Sequence, residues 1–366
     1  MLKRKYIFML IFLIYCTTSI DFAINGARYI KYSALPITLL FWATYRFTLP
    51  KSYSGTDSAL LILMCWMPVT LFWGNYYLGA KDFLFIASYA IPFLLLKDYG
   101  LSIERTFYIY VAIFAASLPS RTFGEISIID SKALAESSSS FIFGAFALAF
   151  LTKKKYVLVF IALVLLLISL KRIALLGYLI CALLWFTPTK IRNVLFHPAL
   201  ILIFNIIVVL SIILVTANVF DEQIKNLTGK GLNEFTLGRI EMYSGILDDV
   251  MQNPLTLVFG NGAGSAYNKA LIYYTGPATQ PNLHSDTLKM MYEYGILLFI
   301  FFFYRIAYKK TASAQVVVIY MCILFSTDNV LIYADVMFIL IYIIFRLEFD
   351  DRNRLAADPK ALNSAI

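Results

Sequence analysis

The sequence predicts an all-α polytopic membrane protein of about twelve transmembrane helices, with one partly helical loop on the outer side. Three observations carry that expectation. Of the 366 residues, 60% are hydrophobic and only 14% charged, and the mean hydropathy is +0.76; a soluble domain carries about 25% charged residues. Apolar runs long enough to be spans recur along the whole chain. Lys and Arg gather in alternate connections between those runs, as the positive-inside rule requires.

In order, the runs lie near 5–22, 34–49, 57–74, 81–97, 105–119, 138–152, 155–170, 172–187, 197–217, 286–306, 312–327 and 329–346. The first, behind "MLKRK", resembles a signal peptide, but "IYC" is a poor cleavage site, so the segment reads as an uncleaved span. The pair at 155–187 is short and joined only by "KR". Cys16, Cys65, Cys181 and Cys322 all fall inside apolar runs with no CxxC spacing, so small buried hydrophobes are expected rather than disulfides or zinc ligands.

The charge bias fixes an orientation. With the N-terminus cytoplasmic, most of the 31 basic residues fall in short inner loops and at the termini. Both termini are then cytoplasmic. Residues 1–366 form one transmembrane domain, and 218–285 form an outer loop between spans 9 and 10. The net charge of +9 is accounted for by these topogenic clusters. They are scattered and lack a basic–aromatic platform, so nucleic acid is not expected as a partner.

Basic residues on the outer side need another reason. Lys171 and Arg172, in "LISLKRIALLGYL", sit between spans 7 and 8. They could mark a tight turn with snorkelling side chains, or an anion site at the outer leaflet. Arg121, in the looser loop "LPSRTFGEISIID", is a weaker case.

The outer loop carries the most specific signals. "TLGRIEMYSGILDDVMQNP" has an amphipathic helix period through Ile240, Tyr243, Ile246, Leu247, Val250 and Met251, with Thr236 as a plausible N-cap and Pro254 as its stop. Arg239 falls in the first turn, where a cation opposes the helix dipole. It is either a solvated surface arginine or part of an anion-binding corner. Asp248 and Asp249 are adjacent, so their side chains diverge, and a solvated face is expected there rather than a metal site.

"LTLVFGNGAGSAYN" places Gly260, Gly262 and Gly264 after an apolar run. The loop has no room for the βαβ unit of a dinucleotide fingerprint. A turn that lets backbone approach a substrate or a neighbouring helix is the better reading. The aromatic, turn-rich "YYTGPATQPN" could stack on sugars or sit at the interface. It leads to His284 at the mouth of span 10, with Ser285 or Asp286 able to cap that helix. His197, the second of only two histidines, reads as interfacial at the inner end of span 9.

These segments in this order resemble the O-antigen polymerase and ligase superfamily: "SLKR", then "GR" opening a loop helix, "NP…VFGNGAG", and "LHSDTLKMMYEYGI". The corresponding positions are Arg172, Gly238 and Arg239, Pro254, Gly260, Gly262 and Gly264, His284 and Ser285, and Glu293, Gly295 and Ile296. The resemblance covers about 169–300. Two positions depart from the usual pattern: Lys171 stands where serine is common, and "HS" replaces the commoner "HN".

The resemblance implies a GT-C-like glycosyltransferase of the bacterial inner membrane. It implies a polymerase that joins undecaprenyl-pyrophosphate-linked oligosaccharide repeat units into O-antigen or a related surface polysaccharide at the periplasmic face. The donor, the acceptor, the bilayer and a chain-length regulator protein are the implied partners. Arg172 and Arg239 would stabilise the departing pyrophosphate, with Lys171 in support. His284 would act as general base, hold the pyrophosphate or orient the acceptor. Glu293 lies nine residues beyond His284, half a turn out of phase, which suits packing or helix–helix hydrogen bonding better than catalysis. A metal-independent, inverting transfer without a cofactor is expected. Alternatives are an O-antigen ligase acting on lipid A-core and, more distantly, a lipid-linked oligosaccharide flippase; no internal repeat supports the latter.

Overall fold

The computed structural model describes residues 2–19, 27–45, 54–117, 137–169, 171–217, 221–229, 231, 239–273, 283–308 and 310–357. Arg121, Thr236, Gly238 and the aromatic stretch at 274–282 lie outside the described residues. Helices α1 to α8 span Leu2–Ser19, Ala34–Tyr45, Gly55–Thr70, Tyr76–Leu96, Ile103–Ser117, Ser139–Thr152, Tyr156–Ser169 and Arg172–Phe186. A short α9 (Thr189–Leu195) precedes α10 (Pro198–Thr216). The loop region contributes α11 (Asp221–Thr228), α12 (Arg239–Gln252), α13 (Pro254–Phe259) and α14 (Ser265–Tyr273). Helices α15 (Asp286–Ala307), α16 (Ala312–Thr327) and α17 (Ala334–Ala357) complete the chain. No strand occurs among the described residues.

Every expected span overlaps one of these helices. Among the described residues, three helices are long and apolar enough to cross a membrane: Tyr76–Tyr99, Pro198–Thr216 and Asp286–Ala307. Five more, α3, α6, α7, α8 and α16, are shorter apolar helices. The bundle is built for a lipid surround. Phe160, Leu183, Phe186 and Ile207 are exposed on its outside, an arrangement that would drive aggregation in water. Helix α6 is buried from Ser139 to Leu151 between α7, α8, α16 and α17, so its short length need not match the bilayer. Tyr320 of α16 crosses it closely, donating to the Phe141 carbonyl (3.2 Å) in the space left by Gly144. Cys16, Cys181 and Cys322 are buried as expected, but Cys65 is exposed on α3.

Helix α15 organises the end of the bundle that carries the loop helices. Ser285 is its N-cap, accepting from the Leu288 amide (3.2 Å). The helix is interrupted at Gly295, whose backbone (φ 82°, ψ 167°) is not helical. The break frees carbonyls that a continuous helix would use, and other elements take them up. The amides of Asn261 and Gly262 donate to Tyr292 (2.8 Å) and Glu293 (2.9 Å). The Trp66 indole of α3 donates to the Tyr294 carbonyl (3.1 Å). The glycine turn is thus the partner of the break. A Cβ at Gly260 would lie 2.2 Å from the Glu293 oxygen, so backbone meets backbone here.

Beneath the turn lies a buried ionic cluster. Lys289 of α15 pairs with Asp82 of α4, Tyr267 donates to the same carboxylate (3.1 Å), and the ammonium stands 4.3 Å from the Tyr267 ring centroid. Glu293 lies close enough to interact with both charges. Breaking a buried pair costs about 3–5 kcal/mol because one charge is left without a partner. Lys289→Met strips two carboxylates of their cation, whereas Asp82→Asn leaves Lys289 facing Glu293. Thermal unfolding of the detergent-solubilised protein should therefore show a larger loss for Lys289→Met than for Asp82→Asn. The reverse order would contradict the shared-cation account.

Candidate active site

His284 stands immediately before the Ser285 cap and has left-handed backbone (φ 54°). Its carbonyl accepts the Tyr243 hydroxyl of α12 (3.4 Å). Loop helix and α15 are thereby joined at the histidine. The same helix brings Arg239, partly buried in its first turn.

Three helix ends meet beside the first turn of α15. Lys171 is the N-cap residue of α8, and its amide donates to Ser140 Oγ at the start of α6 (3.3 Å). Its ammonium pairs with Asp328, the C-cap of α16, and lies 4.5 Å from the Phe141 ring centroid. Asp328 Oδ1 accepts from the Asn329 amide (2.8 Å) and the Tyr333 hydroxyl (3.1 Å). The Asp328 carbonyl takes the Asp286 amide (3.2 Å), and Asp286 Oδ2 accepts from the Leu331 amide (2.6 Å). The 327–333 turn is thus fastened to the first turn of α15.

The groups sense one another. Burial holds the His284 imidazole below its ordinary pKa, and the Arg239 and Lys171 cations lower it further; Asp328 opposes them. The histidine is therefore neutral at neutral pH and able to accept a proton. Burial pushes the Asp328 carboxyl up, but Lys171, the Asn329 amide and His284 outweigh it, and the group lies below the usual carboxylate range. The Tyr243 hydroxyl is pushed up to about 12 by burial, with Arg239 opposing. A neutral acceptor beside two cations can accept a hydroxyl proton while the cations hold an anion.

Of the candidates from the sequence, the structure brings His284, Arg239 and Lys171 together. Arg172, next to Lys171, is exposed, and no described contact joins it to this group. Gly260, Gly262 and Gly264 face neighbouring backbone: Gly262 and Gly264 press on Gly74 and Gly79 at the entry to α4. Glu293 Oε1 accepts from the Ala266 amide (3.1 Å), away from His284. His197 caps α10, its Nδ1 accepting from the Ala199 amide (3.3 Å). Asp249 differs from the expected solvated acid: it accepts from Lys269 (2.7 Å) and the Tyr292 hydroxyl (2.7 Å), while Asp248 is exposed. Among the described residues, no three His, Cys, Asp or Glu side chains gather into a metal-binding group.

Asp328 was not foreseen. Its only sequence signal is an isolated acid, "STDNV", between two apolar runs on the side that also holds Lys171. An unpaired carboxylate at that depth is costly, which in principle calls for a cationic partner.

Residues 157–303 match the family model described as O-antigen ligase. Over this segment the chain is similar to the O-antigen polymerase and ligase superfamily, and the match supports the resemblance read from the sequence. No curated protein and no solved structure matches. Members of the O-antigen ligase family are glycosyltransferase-like enzymes of surface-polysaccharide assembly, with lipid-linked saccharides as substrates. The matched segment holds Lys171, Arg172, Arg239, the glycine turn, His284 and Glu293. It excludes Asp82 and Asp328, so the surroundings of the O-antigen ligase segment are completed by α4 and by the turn between α16 and α17.

Proposed function

We propose that this protein is a polymerase that joins undecaprenyl-pyrophosphate-linked oligosaccharide repeat units at the periplasmic face of the inner membrane. In this reading the chain crosses the bilayer about twelve times, with both termini cytoplasmic and 218–285 outside. The observation that carries the proposal is the meeting of a neutral His284 with Arg239 and Lys171 at one end of an apolar bundle.

The transfer balances on these groups. The acceptor hydroxyl oxygen attacks the anomeric carbon of the donor. The bond from that carbon to the phosphate oxygen breaks, and its electron pair leaves with the lipid pyrophosphate. The proton passes to His284. Arg239, with its planar fork, takes the growing charge on the phosphates. Lys171 adds a point charge held in place by Asp328, and Arg172, exposed at the same end, is a further pyrophosphate ligand. Because His284 is neutral, base catalysis fits it better than service as a phosphate-binding cation. The attack comes from the face opposite the leaving group, and the step inverts the anomeric centre.

The description of the matched family favours a second reading, transfer of finished polymer to lipid A-core. The departures at Lys171 and Ser285 from the usual pattern tilt the assignment to the polymerase. Deletion in the host, with analysis of the surface glycan, separates the readings. A polymerase leaves single-repeat chains; a ligase leaves lipid-linked polymer and bare core; repeat units trapped inside would indicate a flippase. Transfer by the purified protein is expected to survive chelation. A strict need for added metal would overturn the proposed charge stabilisation.

A further inference from the structure

The end of the bundle away from His284 carries a feature that the mechanism does not use. A cavity of about 580 Å³ opens where the starts of α5 and α7 meet the 153–155 turn, lined chiefly by Glu104, Tyr108, Lys154, Lys155, Tyr156 and Val157. Its place follows from α6. That helix begins at Ser139 and Ser140, where Ser140 Oγ takes the Lys171 amide, and it ends at the turn that holds the cavity. Its 14 residues put about 21 Å between the two, at 1.5 Å per residue.

The turn is built around a lysine in an uncommon conformation. The amides of Lys154 and Lys155 close α6 by donating to the carbonyls of Leu151 (3.0 Å) and Phe150 (2.9 Å). Lys154 has left-handed backbone (φ 57°), at a position where a helix that ends this way usually carries glycine. The charges around it are unequal. Lys155 pairs with Glu104 (2.7 Å), which Lys153 also approaches (4.0 Å). Lys153 pairs with Asp350 (2.6 Å), which Arg346 also engages (3.1 Å). Each carboxylate is thus shared by two cations. Lys154 is exposed, and among the described residues no carboxylate pairs with it.

Excess positive charge and an apolar continuation select an amphipathic anion. Lys154 offers an ammonium with no carboxylate to displace. Tyr108 and Tyr156 line the cavity and are exposed, as aromatic residues are at a membrane interface. From Val157 an exposed apolar stripe runs along α7 through Phe160, Ile161, Val164 and Ile168, at three- and four-residue steps. A free phosphate would leave that stripe unused, whereas acyl chains would cover it. In the orientation proposed above this end faces the cytoplasm, where basic pockets between helices hold anionic headgroups. We propose that the cavity binds one anionic phospholipid of the inner leaflet, its phosphodiester at Lys154 and Lys155 and its acyl chains along α7. A helix length from Lys171, this lipid is not a substrate of the transfer, and failure of the inference would leave the proposed function standing.

Native mass spectrometry of the purified full-length protein with dioleoyl phosphatidylglycerol tests it, with dioleoyl phosphatidylcholine as the neutral comparison. Wild type should bind one phosphatidylglycerol in preference to phosphatidylcholine. Lys154→Gly is the informative variant, because glycine suits the left-handed turn. It should weaken that binding about tenfold, equivalent to about 1.4 kcal/mol, while the lipid-free protein unfolds at the wild-type temperature or above. Lys190→Gln removes an exposed cation of α9, outside the cavity, and should leave the binding unchanged. Wild-type affinity in Lys154→Gly would overturn the site. Equal weakening by Lys190→Gln would show diffuse attraction to basic surface and also overturn it. So would equal binding of phosphatidylcholine. Displacement of the bound lipid by millimolar inorganic phosphate would show a free-phosphate site and overturn the assignment to a lipid.

Discussion

His284→Asn is expected to reduce glycosyl transfer about 10²–10⁴-fold, the usual contribution of a positioned general base, without loss of folded protein. Asparagine is the informative replacement because His284 has φ 54°. Asn tolerates the left-handed region far better than most residues, whereas His284→Ala would mix backbone strain with loss of the imidazole. The pH profile carries the same claim. In the proposed mechanism the active form is the neutral imidazole, and burial and the Arg239 cation hold its pKa below the ordinary value. Activity should therefore fall as pH drops through a value below about 6.5. Lys171→Met removes a cation that lowers this pKa, so its acid limb should move to higher pH. Asp328→Asn removes the opposing carboxylate, so its limb should move to lower pH. Shifts of both variants in the same direction would contradict the electrostatic arrangement.

Gly295→Ala is expected to abolish accumulation of folded protein. The position has φ 82°, and an added Cβ would lie 2.2 Å from the Val258 carbonyl oxygen. Neither backbone can retreat cheaply. Residue 295 belongs to the break in α15, and residue 258 belongs to α13, which leads into the glycine turn. Special backbone conformation and overpacking are both among the few causes of large single-site losses. Gly229 is a suitable control, since it has φ 72° but nothing within 4 Å of an added Cβ. Size-exclusion profiles of detergent extracts should show Gly229→Ala as a folded peak and Gly295→Ala as aggregate. A folded Gly295→Ala would mean that α13 and α15 are not locked together.

Much of the helical layout was legible because a bilayer demands long apolar runs, and those runs are visible without neighbours. His284 was legible as a helix-entry residue because Ser285 is a strong cap and the apolar run begins just after it. Arg239 stood out because a cation in a first turn is locally unfavourable. The break at Gly295 was not legible: "EYGIL" is compatible with a continuous helix, and only the amides of Asn261 and Gly262 make the freed carbonyls tolerable. Nor was the choice between Lys171 and Arg172. It depends on where α8 begins, since the residue at the N-cap faces Asp328 and the next is exposed. Asp82 with Lys289 and Lys171 with Asp328 are pairs from distant parts of the chain, and no local period announces them.

The central claim is that His284 and Arg239 act together on a lipid pyrophosphate donor. The most direct measurement is chain growth from a synthetic undecaprenyl-pyrophosphate-linked repeat unit by purified protein in proteoliposomes. Wild type should yield a ladder of two or more repeats with release of undecaprenyl pyrophosphate, and His284→Asn and Arg239→Gln should yield the single repeat alone. Wild-type ladders from both variants would contradict the account.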